Sequence, residues 1–135
     1  MKSIPRKANE MTKEILLIED DDAILESLRE LLESFNYRVE CAENGKAALD
    51  RLRSGEPLPG LILLDLMMPV MDGLQFRVEQ MSDPELRNIP VIVMSADGHM
   101  ESKLESVSAD GYLSKPIRLE TILASVERYL LPASA

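Results

Sequence analysis

Leu61-Ile62-Leu63-Leu64-Asp65 is the stretch on which the fold turns. Successive side chains on a strand point to opposite faces, so four aliphatic residues in a row must be covered on both sides. Such a strand belongs in the middle of a parallel sheet flanked by helices, and Asp65 ends it. Residues 55–60, rich in Gly and Pro, mark the break before it. Two more runs, Ile15-Leu16-Leu17-Ile18 and Val91-Ile92-Val93-Met94, are aliphatic throughout and read as central in the same way. Tyr37-Arg38-Val39-Glu40-Cys41 alternates, and Tyr112-Leu113 is a stub, so both read as edges.

Between these strands the apolar period changes from two to about 3.6. Ile24, Leu28, Leu31 and Phe35 form one helical stripe, with Leu25 and Leu32 beside it. Residues 44–53 form a weaker helix resting on Ala48 and Leu52. Asp72 is placed as the N-cap of a third helix with Gln75 completing the box, and Leu74, Val78 and Met81 are expected to face inward. Met100, Leu104 and Val107 mark a further stripe, and Leu119, Ile122, Leu123, Val126 and Leu130 mark the last. Right-handed crossovers then predict an α/β, doubly wound (βα)5 fold of flavodoxin-like type, with parallel sheet order 2-1-3-4-5.

At 135 residues the chain is one domain, read as 13–131 with a loosely held tail over 1–12. Its 24 acidic and 15 basic residues leave a net charge of -9, which argues against direct nucleic-acid binding. No apolar run is long enough for membrane insertion and no leader-like apolar segment opens the chain, so a cytoplasmic location is expected. The lone Cys41 reads as a buried, inert thiol, and His99 as a surface residue without ligand-like companions. Met68, Met71 and Met94 read as packing.

In an open doubly wound sheet, ligands bind beyond the carboxyl ends of the strands where strand order reverses. That edge collects Glu19 and Asp20 after the first strand, Asp65 after the third, Ser95 after the fourth and Lys115 after the fifth. Taken singly, each has a bland reading: an acidic helix start, a loop carboxylate, a turn former, a solvated charge. Asp22 is assigned only an N-cap role at the helix beginning near Ala23. Together, the clustered carboxylates repel and call for a compensating cation, and oxygen donors of this kind suit Mg2+. Phosphate oxygens can fill the positions left open on such an ion, and Lys115 and Ser95 can meet others. Positioning and charge neutralisation are most of what phosphoryl transfer needs.

The segments ILLIEDD, LILLDLMMPVMDG, VIVMSA and ADGYLSKP together resemble the receiver domain of two-component response regulators, over about residues 14–130. The resemblance implies that Asp65 is the phosphoacceptor and that Asp20 ligates the metal directly. Glu19 acts through water, and the backbone carbonyl of Met67 completes the protein's share of the metal shell. Ser95 is then the switch hydroxyl, Tyr112 the switch aromatic that turns inward, and Lys115 the phosphate-pairing lysine. A cis Lys115–Pro116 bond is also implied, and Ala96 leaves the site accessible. Gly111 departs from the acidic residue frequent at that place, and Tyr112 has a plain alternative as an edge-strand core residue. Met67 and Asp97 flank the path of hydrolytic water, which leaves the phosphorylated lifetime open.

The implied partners are a sensor histidine kinase or histidine phosphotransfer protein as donor and a separate downstream output protein. The chain is expected as a monomer or a phosphorylation-dependent dimer. Output is expected from the surface shared by the helix around Met100–Val107, the strand at Tyr112 and the last helix. A rival is a pseudo-receiver, an interaction module that never takes phosphate. A haloacid-dehalogenase-type phosphatase would place a second Asp where Met67 stands. A flavodoxin would need a phosphate loop where this chain has a row of acids.

Overall fold

Three strands whose aliphatic side chains are all buried sit at the centre of the sheet, as their apolar runs require. The computed structural model describes residues 13–66, 70–95 and 109–130. In chain order these form β1 (Glu14–Ile18), α1 (Asp22–Ser34), β2 (Arg38–Ala42), α2 (Gly45–Leu52), β3 (Leu61–Asp65), α3 (Gly73–Ser82), β4 (Val91–Ser95), β5 (Gly111–Ser114) and α4 (Leu119–Glu127). The strands are parallel, in the order β2-β1-β3-β4-β5, as expected. The tail over 1–12, the stripe of Met100, Leu104 and Val107, and Met67, Met68, Ala96, Asp97 and His99 lie outside the described residues. Among the described residues no helix is long and apolar enough to cross a membrane.

Strand alternation splits the core into two layers. Leu16, Ile18, Ile62, Leu64, Val91 and Val93 pack on the side that also buries Ala48, Leu52 and Phe76 from α2 and α3. Ile15, Leu17, Leu61, Leu63, Ile92 and Met94 face Leu28 and Leu32 of α1 and Ile122 and Val126 of α4. Each apolar side chain fully removed from water contributes roughly 1.5–3 kcal/mol, and the central strands supply most of them.

Helix ends follow side-chain chemistry, with one correction. Asp21, not Asp22, caps α1: its carboxylate accepts the N–H groups of Ala23 and Ile24 at 2.9 and 3.1 Å. Asp22 is the first helical residue, where its charge still faces the positive end of the helix. Asp72 and Gln75 form the expected capping box on α3. Phe35 is not part of the α1 stripe; it is the C-cap and 44% exposed.

Of the expected inward face of α3, Leu74 packs against the core but Val78 and Met81 do not. Val78 and Met81 are 63% and 45% exposed, and the buried positions are Gly73, Phe76, Arg77 and Gln80. Polar residues take the inner face because their groups find partners there. The Gln80 amide donates to the carbonyls of Leu86 and Ile89, both at 3.0 Å, while its oxygen accepts from Arg77 Nη1 at 2.7 Å.

Gly73 lets α3 begin directly against the end of β3. Its N–H donates to the Leu66 carbonyl at 3.0 Å, and a Cβ at this position would lie 2.7 Å from Leu66 Cα and 2.8 Å from the Asp65 carbonyl oxygen. Gly73→Ala is expected to destabilise the fold by about 1–3 kcal/mol despite alanine's better helix propensity, because backbone cannot yield as a flexible side chain does. Thermal denaturation checks this; an unchanged or higher Tm would mean that the close approach is not limiting.

Candidate functional site

Register brings the predicted residues together. Ile18 pairs with Leu64, so the next residues along, Glu19 and Asp65, stand side by side. Asp65 pairs with Met94, and Ser95 with Ser114, which puts Ser95 and Lys115 at the same edge. Three backbone bonds carry the pairing past the strand ends: Glu19 N–H to Ala42 O at 3.1 Å, Leu66 N–H to Met94 O at 3.3 Å, and Lys115 N–H to Ser95 O at 2.9 Å. The site thus rests on sheet hydrogen bonding rather than on free loops.

Glu19, Asp20 and Asp65 each offer a carboxylate oxygen, and these atoms lie within 4.8 Å of one another. Glu19 and Asp65 are buried, and Asp20 is exposed at the mouth. Lys115 Nζ reaches Glu19 Oε1 at 3.2 Å and Asp65 Oδ1 at 3.3 Å. The other Glu19 oxygen accepts from the Asp21 N–H at 3.3 Å. Sequence reasoning assigned Lys115 to a phosphate and missed its bridge between the two buried acids. The convergence of the acids on one edge was the available signal for that bridge.

Burial is the largest influence on Glu19, and the neighbouring Asp65 adds to it; Lys115 opposes both only in part. The Glu19 carboxyl is pushed from 4.5 up to about 7. Burial works against the charge on Lys115, but Asp65 and then Glu19 outweigh it, and its pKa is held above the ordinary lysine value. Oxygen donors this close, two of them buried, fit a hard divalent cation.

Ser95 is buried beside this cluster. Tyr112 is 40% exposed, so it is not a core residue here; its hydroxyl donates to the Ala109 carbonyl at 3.3 Å. Lys115–Pro116 is cis, as the resemblance implied. Gly111 leaves room for Ile92, whose Cγ1 would stand 3.3 Å from a Cβ at that position. Cys41 is half-buried, and burial pushes its thiol pKa up, in keeping with an inert thiol.

The family model of the response regulator receiver domain matches residues 15–127. The chain belongs to this family. It is therefore a receiver domain of two-component signalling. The polar-differentiation response regulator DivK of Brucella ovis is 33% identical over 122 residues, covering 89% of this chain and 98% of DivK. Among solved structures, the response regulator TrrA of Thermotoga maritima, in complex with Mg2+-BeF, is 32% identical with a TM-score of 0.76. That match covers 87% of this receiver and 98% of TrrA. The chemotaxis protein CheY4 of Vibrio cholerae is 26% identical with a TM-score of 0.77, covering 87% and 98% of the two chains.

The raised Glu19 pKa has a consequence for the metal-free receiver. Its folded value lies above the unfolded 4.5, so its contribution to stability is complete below pH 4.5 and is lost as pH rises through about 7. That loss is at most about 3 kcal/mol. Chemical denaturation in EDTA across this range is expected to show the decline, and Glu19→Gln to flatten it. A slope equal in both proteins would place the titration on another group.

Proposed function

We propose that this receiver accepts a phosphoryl group from a phosphohistidine onto Asp65 and signals through a changed surface. The observation that carries the reading is the packing of Asp65 between two further acids and Lys115, all on the sheet edge where β1 and β3 part. The Mg2+-BeF held by TrrA supports it as well. Glu19, Asp20 and Asp65 would hold Mg2+, with the Met67 carbonyl completing the set. When bound, the ion supplies charge neutralisation to the transferring phosphoryl oxygens.

An Asp65 carboxylate oxygen attacks phosphorus in line as the P–N bond to the donor imidazole breaks. The imidazole leaves with the electron pair and takes up a proton from solvent, and an acyl phosphate remains on Asp65. Lys115 moves from its carboxylate partners to a phosphoryl oxygen, and the Ser95 hydroxyl donates to another. Tyr112, exposed in the present state, then turns inward and alters the surface next to β5 and α4. Attack of water on phosphorus releases inorganic phosphate and restores the carboxylate. The receiver thus catalyses only its own phosphorylation and dephosphorylation.

The donor is a sensor histidine kinase or histidine phosphotransfer protein, and the recipient of the signal is a separate output protein. The working unit spans 13–131 and acts in the cytoplasm, as a monomer or a phosphorylation-dependent dimer.

Incubation with acetyl phosphate and Mg2+, read by intact mass, is expected to add one phosphate to the wild type and none to Asp65→Ala or to protein in EDTA. No gain in the wild type would leave only a pseudo-receiver. Lys115→Ala is expected to slow labelling on the order of 10²-fold, the usual loss when a charge-stabilising donor is removed.

A further inference from the structure

The sheet has two outer strands, and β2 is the one remote from Ser95 and Tyr112. Successive residues of a strand aim their backbone groups to alternate sides. The Ala42 carbonyl accepts the Glu19 N–H at 3.1 Å, so Ala42 faces β1, and Glu40 and Arg38 face it by the same alternation. Val39 and Cys41 therefore turn their N–H and C=O groups outward, and no bond to these groups is made among the described residues.

Helices flank this edge without covering it. A groove follows it between Arg29 of α1 and Arg51 of α2 and continues past Leu25 and Ala47. Neither proline nor glycine interrupts Arg38–Ala42, and its register with β1 is unbroken. What guards the edge is charge. Arg38 and Glu40 are exposed, and they share a face because they stand two residues apart. Glu40 accepts from Arg51 Nε at 2.6 Å, whereas Arg38 has no ion-pair partner among the described residues.

We propose that β2 pairs antiparallel with β2 of a second copy of this chain, about a two-fold axis at Val39. Val39 and its counterpart then exchange both backbone hydrogen bonds. The Cys41 N–H donates to the Tyr37 carbonyl of the other copy, while the Tyr37 N–H stays with Leu32 at 3.1 Å. Arg38 and Glu40 fall at the positions between these bonds, where facing side chains stand closest. Arg38 of each copy thus meets Glu40 of the other, and the pair occurs twice. Moving the axis by one residue sets Glu40 against Glu40 or Arg38 against Arg38. Charge therefore selects the register, and it does so locally, because two chains of net charge -9 repel overall. The inference does not depend on phosphoryl transfer to Asp65, and it leaves the β5 edge free.

Analytical ultracentrifugation over roughly a thousandfold range of protein concentration is expected to carry the wild type from monomer to dimer. Arg38→Glu and Glu40→Lys each set like charges face to face and are expected to weaken self-association at least about tenfold. Mixed, the two variants are expected to dimerise with one another, since each supplies the charge the other lacks. Each substitution changes the net charge of -9 by only two, so both chains stay acidic and general attraction cannot join them. Val39→Pro removes an outward N–H that β1 does not use, and is expected to give a folded monomer, with circular dichroism reporting the fold. A wild type that stays monomeric throughout overturns the proposal. So does a dimer that survives Val39→Pro, and so do two folded charge variants that remain monomers when mixed. Should Glu40→Lys fail to fold without its bond to Arg51, the wild type and Val39→Pro decide the matter alone.

Discussion

One ammonium group between two buried carboxylates holds the functional edge of this receiver together. Lys115 comes from the far end of the chain, Glu19 from its beginning and Asp65 from its middle, and they meet within 3.3 Å only because β1, β3 and β4 lie side by side, with β5 beyond β4. Among the described residues one lysine ammonium faces three acids. The crowding of acids appears in Glu19, which burial and Asp65 leave with its pKa near 7. Among the described residues the acids of the pocket outnumber its ammonium group, and a cation entering it would meet that excess of negative charge.

The rest of the architecture serves to keep that arrangement in place. Sheet hydrogen bonds run on past the strand ends, so the acids stand on rigid backbone. Gly73 brings α3 close behind Asp65, and the Asp21 cap fixes where the chain turns after Glu19 and Asp20. Two apolar layers enclose the sheet, and their packing strength lets the edge carry like charges that would otherwise push apart.

Much of this was legible in the order of residues. The aliphatic runs of β1, β3 and β4 placed them in the middle of the sheet, and the strand order followed from crossover handedness. The meeting of Glu19, Asp20, Asp65, Ser95 and Lys115 at one edge followed from that order. The inner face of α3 was not legible. Hydropathy favours Val78 and Met81 over Arg77 and Gln80, whereas the Leu86 and Ile89 carbonyls hold the Gln80 amide and Gln80 in turn accepts from Arg77. The cap of α1 was misplaced by one residue because three adjacent aspartates have the same chemistry. Which of them turns back depends on where the helix starts.

Gln80 has a mechanical consequence. With one amide it grips two carbonyls of the segment that leads into β4, and so joins helix and segment like a peg through two holes. These bonds tie the placement of α3 to the segment entering the base of β4, the strand whose other end bears Ser95.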